Sequence, residues 1–252
     1  MKDRYFSVEV KPTLPASKQH AAAFTAGDVL FDYTEFEIPK GTSRLIGATM
    51  ITRPKGNATP TGNKFGAFLI FSKSGTAGDG TTTYGTVNSS QTNVPSNDFL
   101  GVLELETTTS FSLGAGTAVG MTGRASNTSS QANLLLTGNE AGSNVGYDKL
   151  YVAAQANGAF DFITINRIND GDIDTSSPGT TLVCDGSSMD LRKHFIADDV
   201  LHAHDDAVIG VVASVDSATN ITLDEAISTG VLEDDDFVYN IHPIRLILHF
   251  EK

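Results

Sequence analysis

Apolar residues in this chain fall in short runs separated by polar, turn-rich stretches, a pattern of strands and not of long helices. Val29–Ile38 (VLFDYTEFEI) predicts a first strand, stopped by Pro39-Lys40-Gly41. Arg44–Arg53 predicts a second, and Phe65–Lys73 (FGAFLIFSK) is apolar enough to be a central third. Phe99–Glu106 follows. Lys149–Ala154 and Ala159–Ile168 then flank Asn157-Gly158, a dipeptide that favours a tight hairpin. Val208–Val215 and Asn220–Leu223 flank Asp216-Ser217-Ala218-Thr219 and predict another hairpin, with Phe237-Val238-Tyr239 as a short strand beyond it. In Ile244–Glu251, Ile244, Leu246, Leu248 and Phe250 face one way and Arg245, His249 and Glu251 the other, which predicts a half-buried strand. Only Asp190–Asp199 and Leu223–Val231 offer a helical pattern.

Between these runs lie two long stretches of Gly, Thr, Ser and Asn, residues 74–98 and 107–146, the second holding one short apolar run at Leu134-Leu135-Leu136. The first of them is expected to be a long surface loop. Residues 1–27, with Pro12, Pro15 and the Ala21-Ala22-Ala23 run, are expected to form an arm, either of the kind that lies across a neighbouring subunit or a frayed terminus.

Charge divides the chain more sharply than hydropathy does. Residues 170–240 hold 16 of the 30 carboxylates and only two basic side chains, Arg192 and Lys193, a formal charge of −14. Residues 1–169 hold 13 acidic and 13 basic residues and are neutral. The last apolar strand returns to the character of the first part. The expected organisation is therefore an arm over 1–27, a jelly-roll-like β-sandwich over 28–171 plus 241–252, and a small acidic β-barrel over 172–240 inserted before the last strand, with one continuous sandwich ending in an acidic stretch as the competing reading. The fold class is all-β.

Candidate chemistry is sparse. A single cysteine, Cys184, excludes an internal disulfide, fits assembly in a reducing cytoplasm, and reads as a small core residue. The first ten residues, MKDRYFSVEV, lack the apolar run of a signal peptide, and no stretch is apolar enough to span a membrane. The net charge of −13 disfavours nucleic acid as a partner. On a strand, His202 and His204 would share a face, as two metal ligands must, with Asp205, Asp206 and His194 near in sequence. Asp170, Asp172 and Asp174 alternate as the first ligands of a calcium loop do, but Thr175 and Thr181 stand where an EF-hand needs Gly and Glu. The acidic run Glu233–Asp236 is a further cation candidate. Both sets read more simply as solvated acidic turns. No nucleophile elbow, phosphate-binding loop or dinucleotide fingerprint occurs, so no catalytic residue, metal or cofactor is assigned and the chain is expected not to be an enzyme.

The segment Asp206–Leu223, DAVIGVVASVDSATNITL, resembles the small β-barrel modules of tailed-bacteriophage virion proteins, where a GxVxSVDSxTxITL hairpin recurs. The stretches EFEIPKGTSRLIGATMITR and FGAFLIFSKS are similar in style to head-associated structural proteins of marine phages. The resemblance implies a capsid decoration or cement protein that binds the major capsid protein or other virion proteins. It would sit on the capsid surface after assembly in the host cytoplasm, as a homo-oligomer with a trimer favoured. A tail or neck component, or a carbohydrate- or cell-surface-binding β module, are the competing expectations.

Overall fold

A computed structural model describes residues 4–52, 66–76, 83–90, 98–105, 110–112, 119–123, 133–138, 146, 148–159, 162, 179–183, 190–193, 195–232 and 237–252. Period-two alternation and the shortage of helix formers give fifteen strands among these residues. They are β1 Tyr5–Val10, β2 Val29–Glu37, β3 Ser43–Thr52, β4 Ala67–Ser72, β5 Phe99–Leu105, β6 Ser110–Ser112, β7 Val119–Gly123 and β8 Leu134–Leu136. Beyond these come β9 Lys149–Ala156, β10 Thr181–Val183, β11 Val200–Ala203, β12 Val208–Val215, β13 Asn220–Leu223, β14 Val238–Asn240 and β15 Ile244–Glu251. One α-helix, α1, spans Ala16–Ala21. The protein is all-β, built of antiparallel sheets with almost no helix.

Three sheets result. A six-stranded sheet runs β1-β15-β3-β7-β6, with β8 also paired to β3. A four-stranded sheet runs β2-β9-β4-β5, and a five-stranded sheet runs β10-β13-β12-β11-β14. The buried faces of the first two meet in one core. Leu45, Met50, Leu246, Leu248 and Phe250 come from the six-stranded sheet, and Phe31, Phe36, Leu69, Phe71, Leu103 and Val152 from the four-stranded one. Aromatic rings lock its centre: Phe250 stacks on Phe6 at 5.1 Å between centroids, and Phe36 meets Phe71 edge-on at 6.3 Å.

The four-stranded sheet is covered on its other face as well. Tyr84 packs there against Val29, Ile70 and Ala153. Its amide donates to Asp32 Oδ1 at 2.8 Å, the carboxylate that also takes the Tyr33 amide at 2.8 Å. Two-sided cover explains why β4 is apolar along nearly its whole length. It also corrects the expected surface loop: residues 83–90 lie on the sheet, and β-bridges join Val29 to Val87 and Asp28 to Ser90.

The five-stranded sheet has a core of its own, with Leu182, Phe195, Leu201, Val212, Ile221 and Val238 at its middle. All its strands come from residues 181–240, the acidic segment. β15 then leaves it through Ile241-His242-Pro243 and runs between β1 and β3.

Three expectations are corrected. Residues 5–24 are not a free arm. Tyr5–Val10 alternates as a strand must, and it pairs with β15 along its whole length while Leu14, Ala16 and Phe24 are fully buried. Asp190–Asp199 holds only a 3₁₀ turn at Leu191–Lys193, because Leu191 and Phe195 are drawn into the core and Asp198, at φ 70°, turns the chain. Leu223–Val231 is no helix either. Leu223 belongs to β13, and Gly230 sits at φ 80°. The predicted strand Ala159–Ile168 falls largely outside the described residues, although Phe162 is buried against Phe24, 5.6 Å between ring centroids.

Candidate functional site

The most organised polar cluster lies where α1 meets the acidic sheet. Pro15 starts the helix and Leu14 fixes its approach, its amide donating to the Ile241 carbonyl at 2.8 Å. With six residues the helix is too short to stand alone, so its side chains hold it in place. Ser17 bonds Asp206 twice, the amide to Oδ1 at 2.9 Å and the hydroxyl to Oδ2 at 2.5 Å. Gln19 is fully buried and donates from Nε2 to the carbonyls of Leu14 and Asn240, both at 2.9 Å. Asn88, from the segment over the four-stranded sheet, closes the helix's other end: Nδ2 donates to the carbonyls of Lys18 and Ala22 at 2.8 Å each.

His20 projects from this helix into an aromatic corner. Its Nδ1 lies 2.9 Å from the Tyr239 hydroxyl, and its ring is 4.7 Å from Phe237 and 5.2 Å from His204. Burial lowers the His20 pKa, and the neighbouring imidazole of His204 adds to the effect. Two imidazoles this close resist being charged together.

A cleft of about 360 Å³ opens between the Ile196–Asp199 turn of the acidic segment and the six-stranded sheet. Glu9, Lys11, His242 and Arg245 line one side, and Ile196 and Asp198 the other. Its cations are already engaged: Arg245 Nη2 lies 2.8 Å from Glu9 Oε2, and Lys11 Nζ lies 3.7 Å from Glu9 Oε1. His242 Nδ1 is 3.1 Å from the Pro12 carbonyl. The cleft is a polar seam in which Glu9, Asp198 and Asp199 outnumber Lys11 and Arg245 by one charge.

Among the described residues, a Ser–His contact lies on the open face of the six-stranded sheet. Ser7 Oγ is 3.0 Å from His249 Nδ1, and Thr49 Oγ1 is 3.3 Å from His249 Nε2. A nucleophile–base pair needs a carboxylate behind the imidazole to hold the ring and balance its charge. Here a hydroxyl occupies each ring nitrogen, and the three residues form a cross-strand polar row.

The metal candidates are distributed differently from the expectation. β11 ends at Ala203, so His204 sits in a turn and not on a strand beside His202. His202 Nδ1 lies 3.0 Å from the Asp206 carbonyl, and His204 packs on His20 and Phe237. Among the described residues, no group of three or more His, Cys, Asp or Glu side chains is placed to hold a metal ion. Asp170, Asp172, Asp174, Cys184, His194 and Glu233–Asp236 lie outside the described residues. Comparison with family models, curated proteins and solved structures gives no match. Sequence alone did not single out Ser17, Gln19 or His20, because their partners lie about 190–220 positions away and only the docking of α1 brings them together.

Proposed function

We propose that this chain is a non-enzymatic structural protein of a tailed-bacteriophage virion, which decorates or cements the capsid by binding the major capsid protein lattice. In this reading the six- and four-stranded sheets are the layers of a jelly-roll-like sandwich. The five-stranded sheet is a small barrel inserted before the last strand. The sandwich docks on the capsid, and the acidic module projects into solvent, where its charge keeps particles apart.

One observation carries the reading. The segment with the phage-module resemblance, Asp206–Leu223, forms the β12–β13 hairpin at the centre of the acidic five-stranded sheet. That sheet has its own core and is held to the rest of the chain by polar contacts from α1, of which Gln19 to the Asn240 carbonyl is buried. A rigid, charged module mounted on a second β unit suits a repetitive surface, where many weak contacts add through avidity.

The test is co-sedimentation of the purified chain with capsids assembled from the cognate major capsid protein. Saturable binding at a fixed ratio to capsid subunits supports the proposal. No binding to capsids, with rings or tubes formed by the chain alone, would assign it to the tail or neck instead.

A further inference from the structure

The far end of β15 carries an exposed patch unlike the rest of its sheet. The register places Tyr5, Glu251, Arg44 and Leu135 in one row across β1, β15, β3 and β8. Glu251 accepts an ion pair from Arg4, and its second oxygen lies 3.5 Å from Arg44 Nη1. The Tyr5 hydroxyl lies 3.5 Å from the same carboxylate. The carboxylate is covered, at 14% side-chain exposure, while Arg4 and Arg44 remain 68% and 50% exposed. Lys252 is exposed beside them, its amide bonded to the Arg4 carbonyl at 2.8 Å. Arg4 and Arg44 thus flank one hidden anion, and Lys252 adds an exposed cation next to it in the chain. Three apolar side chains stand with them, Tyr5, Leu135 and Ile46, at 60%, 63% and 37% exposure. Aromatic, arginine and aliphatic groups held on a rigid sheet are the composition of an interface core.

The opposite charge lies at the other end of the same strand. β15 starts three residues after β14 of the acidic sheet, and at roughly 3.4 Å per residue its length puts about 24 Å between its two ends. The acidic segment carries −14 and exposes Asp205, Asp216, Asp224 and Glu225, and its Val208 is 61% exposed. The strand's length keeps the patch from its own acidic module, but the module of a neighbour has no such restriction.

We infer that the Tyr5–Arg4–Arg44–Leu135 patch is a self-association surface, and that its occupant is the acidic module of a second copy of this chain. The contact is head-to-tail. It closes into a ring if the rotation between copies allows and extends into a filament if it does not. Charge steers the encounter, and the three apolar side chains supply the contact. The inference gives a contact to the homo-oligomer that the phage resemblance implies, and it rests on the proposed function for nothing else.

Sedimentation velocity on the full chain tests it, at about 0.05 M and about 1 M NaCl, where the screening length falls to about 3 Å. The expected result is assembly at low salt, with an apparent Kd at least about tenfold weaker at high salt. The variant Leu135→Asp with Lys252→Glu is expected to stay monomeric at both salts, its fold checked by circular dichroism. So is Asp224→Lys with Glu225→Lys. Mixing the two restores a complex, because each supplies the charge the other needs. A monomeric wild type, variants that assemble like wild type, or no complex on mixing would each overturn the inference. A monomer that still co-sediments with capsids sinks this inference and leaves the proposed function standing. An assembling chain that ignores capsids does the reverse.

Discussion

Gln19 and Asn240 are 221 positions apart and share a buried hydrogen bond, from Nε2 of the first to the main-chain carbonyl of the second at 2.9 Å. The same Nε2 reaches the Leu14 carbonyl, so one carboxamide ties α1, its entry turn and β14 together. Replacing Gln19 with Leu keeps the volume but removes the donor from two buried carbonyls. The expected loss is about 1–3 kcal/mol of stability, read from urea unfolding. A Gln19→Leu variant as stable as wild type would show that the junction is held by packing alone.

His20 makes the same junction sensitive to pH. Its folded pKa lies below the ordinary 6.5, first through burial and second through His204. The groups facing it are His204 and Tyr239 from the acidic sheet side, with Lys18 on its own helix and Asp206 bound to Ser17 close by. A lowered pKa means the neutral form is the one the fold prefers. The His20 contribution is thus complete above 6.5 and is lost as pH falls through 6.5 towards the lower folded value. Melting temperatures measured from about pH 8 to about pH 5 should fall more for wild type than for His20→Asn. Equal slopes would remove His20 as a source of acid sensitivity.

The two core clusters share no buried residue, and this predicts how unfolding divides. Phe250, fully buried against Phe6 and Phe36, is expected to cost about 3–5 kcal/mol when cut to Ala. Ile221→Ala, in the acidic sheet, is expected to cost about 2–5 kcal/mol. Calorimetry should show each variant lowering a different transition. If both variants shift one common transition, the chain unfolds as a single cooperative unit.

Asn88 combines a side-chain role with a backbone one. It sits at φ 58°, where Asn is tolerated and most residues are not, and its amide holds two carbonyls at the end of α1. Asn88→Ala loses both contributions, about 2 kcal/mol in all, and Asn88→Gly loses only the side-chain bonds. Urea midpoints should therefore rank wild type, then Gly, then Ala.

Much of the strand content was legible because alternation is a local signal. Ile244–Glu251 and Asn220–Leu223 occupy the predicted spans, and the turn at Asp216-Ser217-Ala218-Thr219 joins β12 to β13. In that turn Asp216 accepts from Ser214 and Thr222, both at 2.6 Å, and these bonds hold its carboxyl below the usual range. What sequence did not disclose was pairing. Nothing in SRLIGATMIT says that β3 meets β15 on one side and both β7 and β8 on the other. The prolines at 12 and 15 suggested an arm and obscured the alternation of YFSVEV just before them. The α1 junction escaped notice because six residues are too few to show a helical period, and each of its polar residues gains meaning only from a distant partner.

The pairing of β1 and β3 with β15 also sets an order of events during synthesis. The strand that joins β1 to β3 is not available until residue 251 has left the ribosome, while the strands of residues 181–240 find all their partners locally. The acidic module can therefore mature first, leaving β1 and β3 waiting with open edges until the strand between them arrives. In the nascent chain that interval is the period of greatest exposure to misassembly.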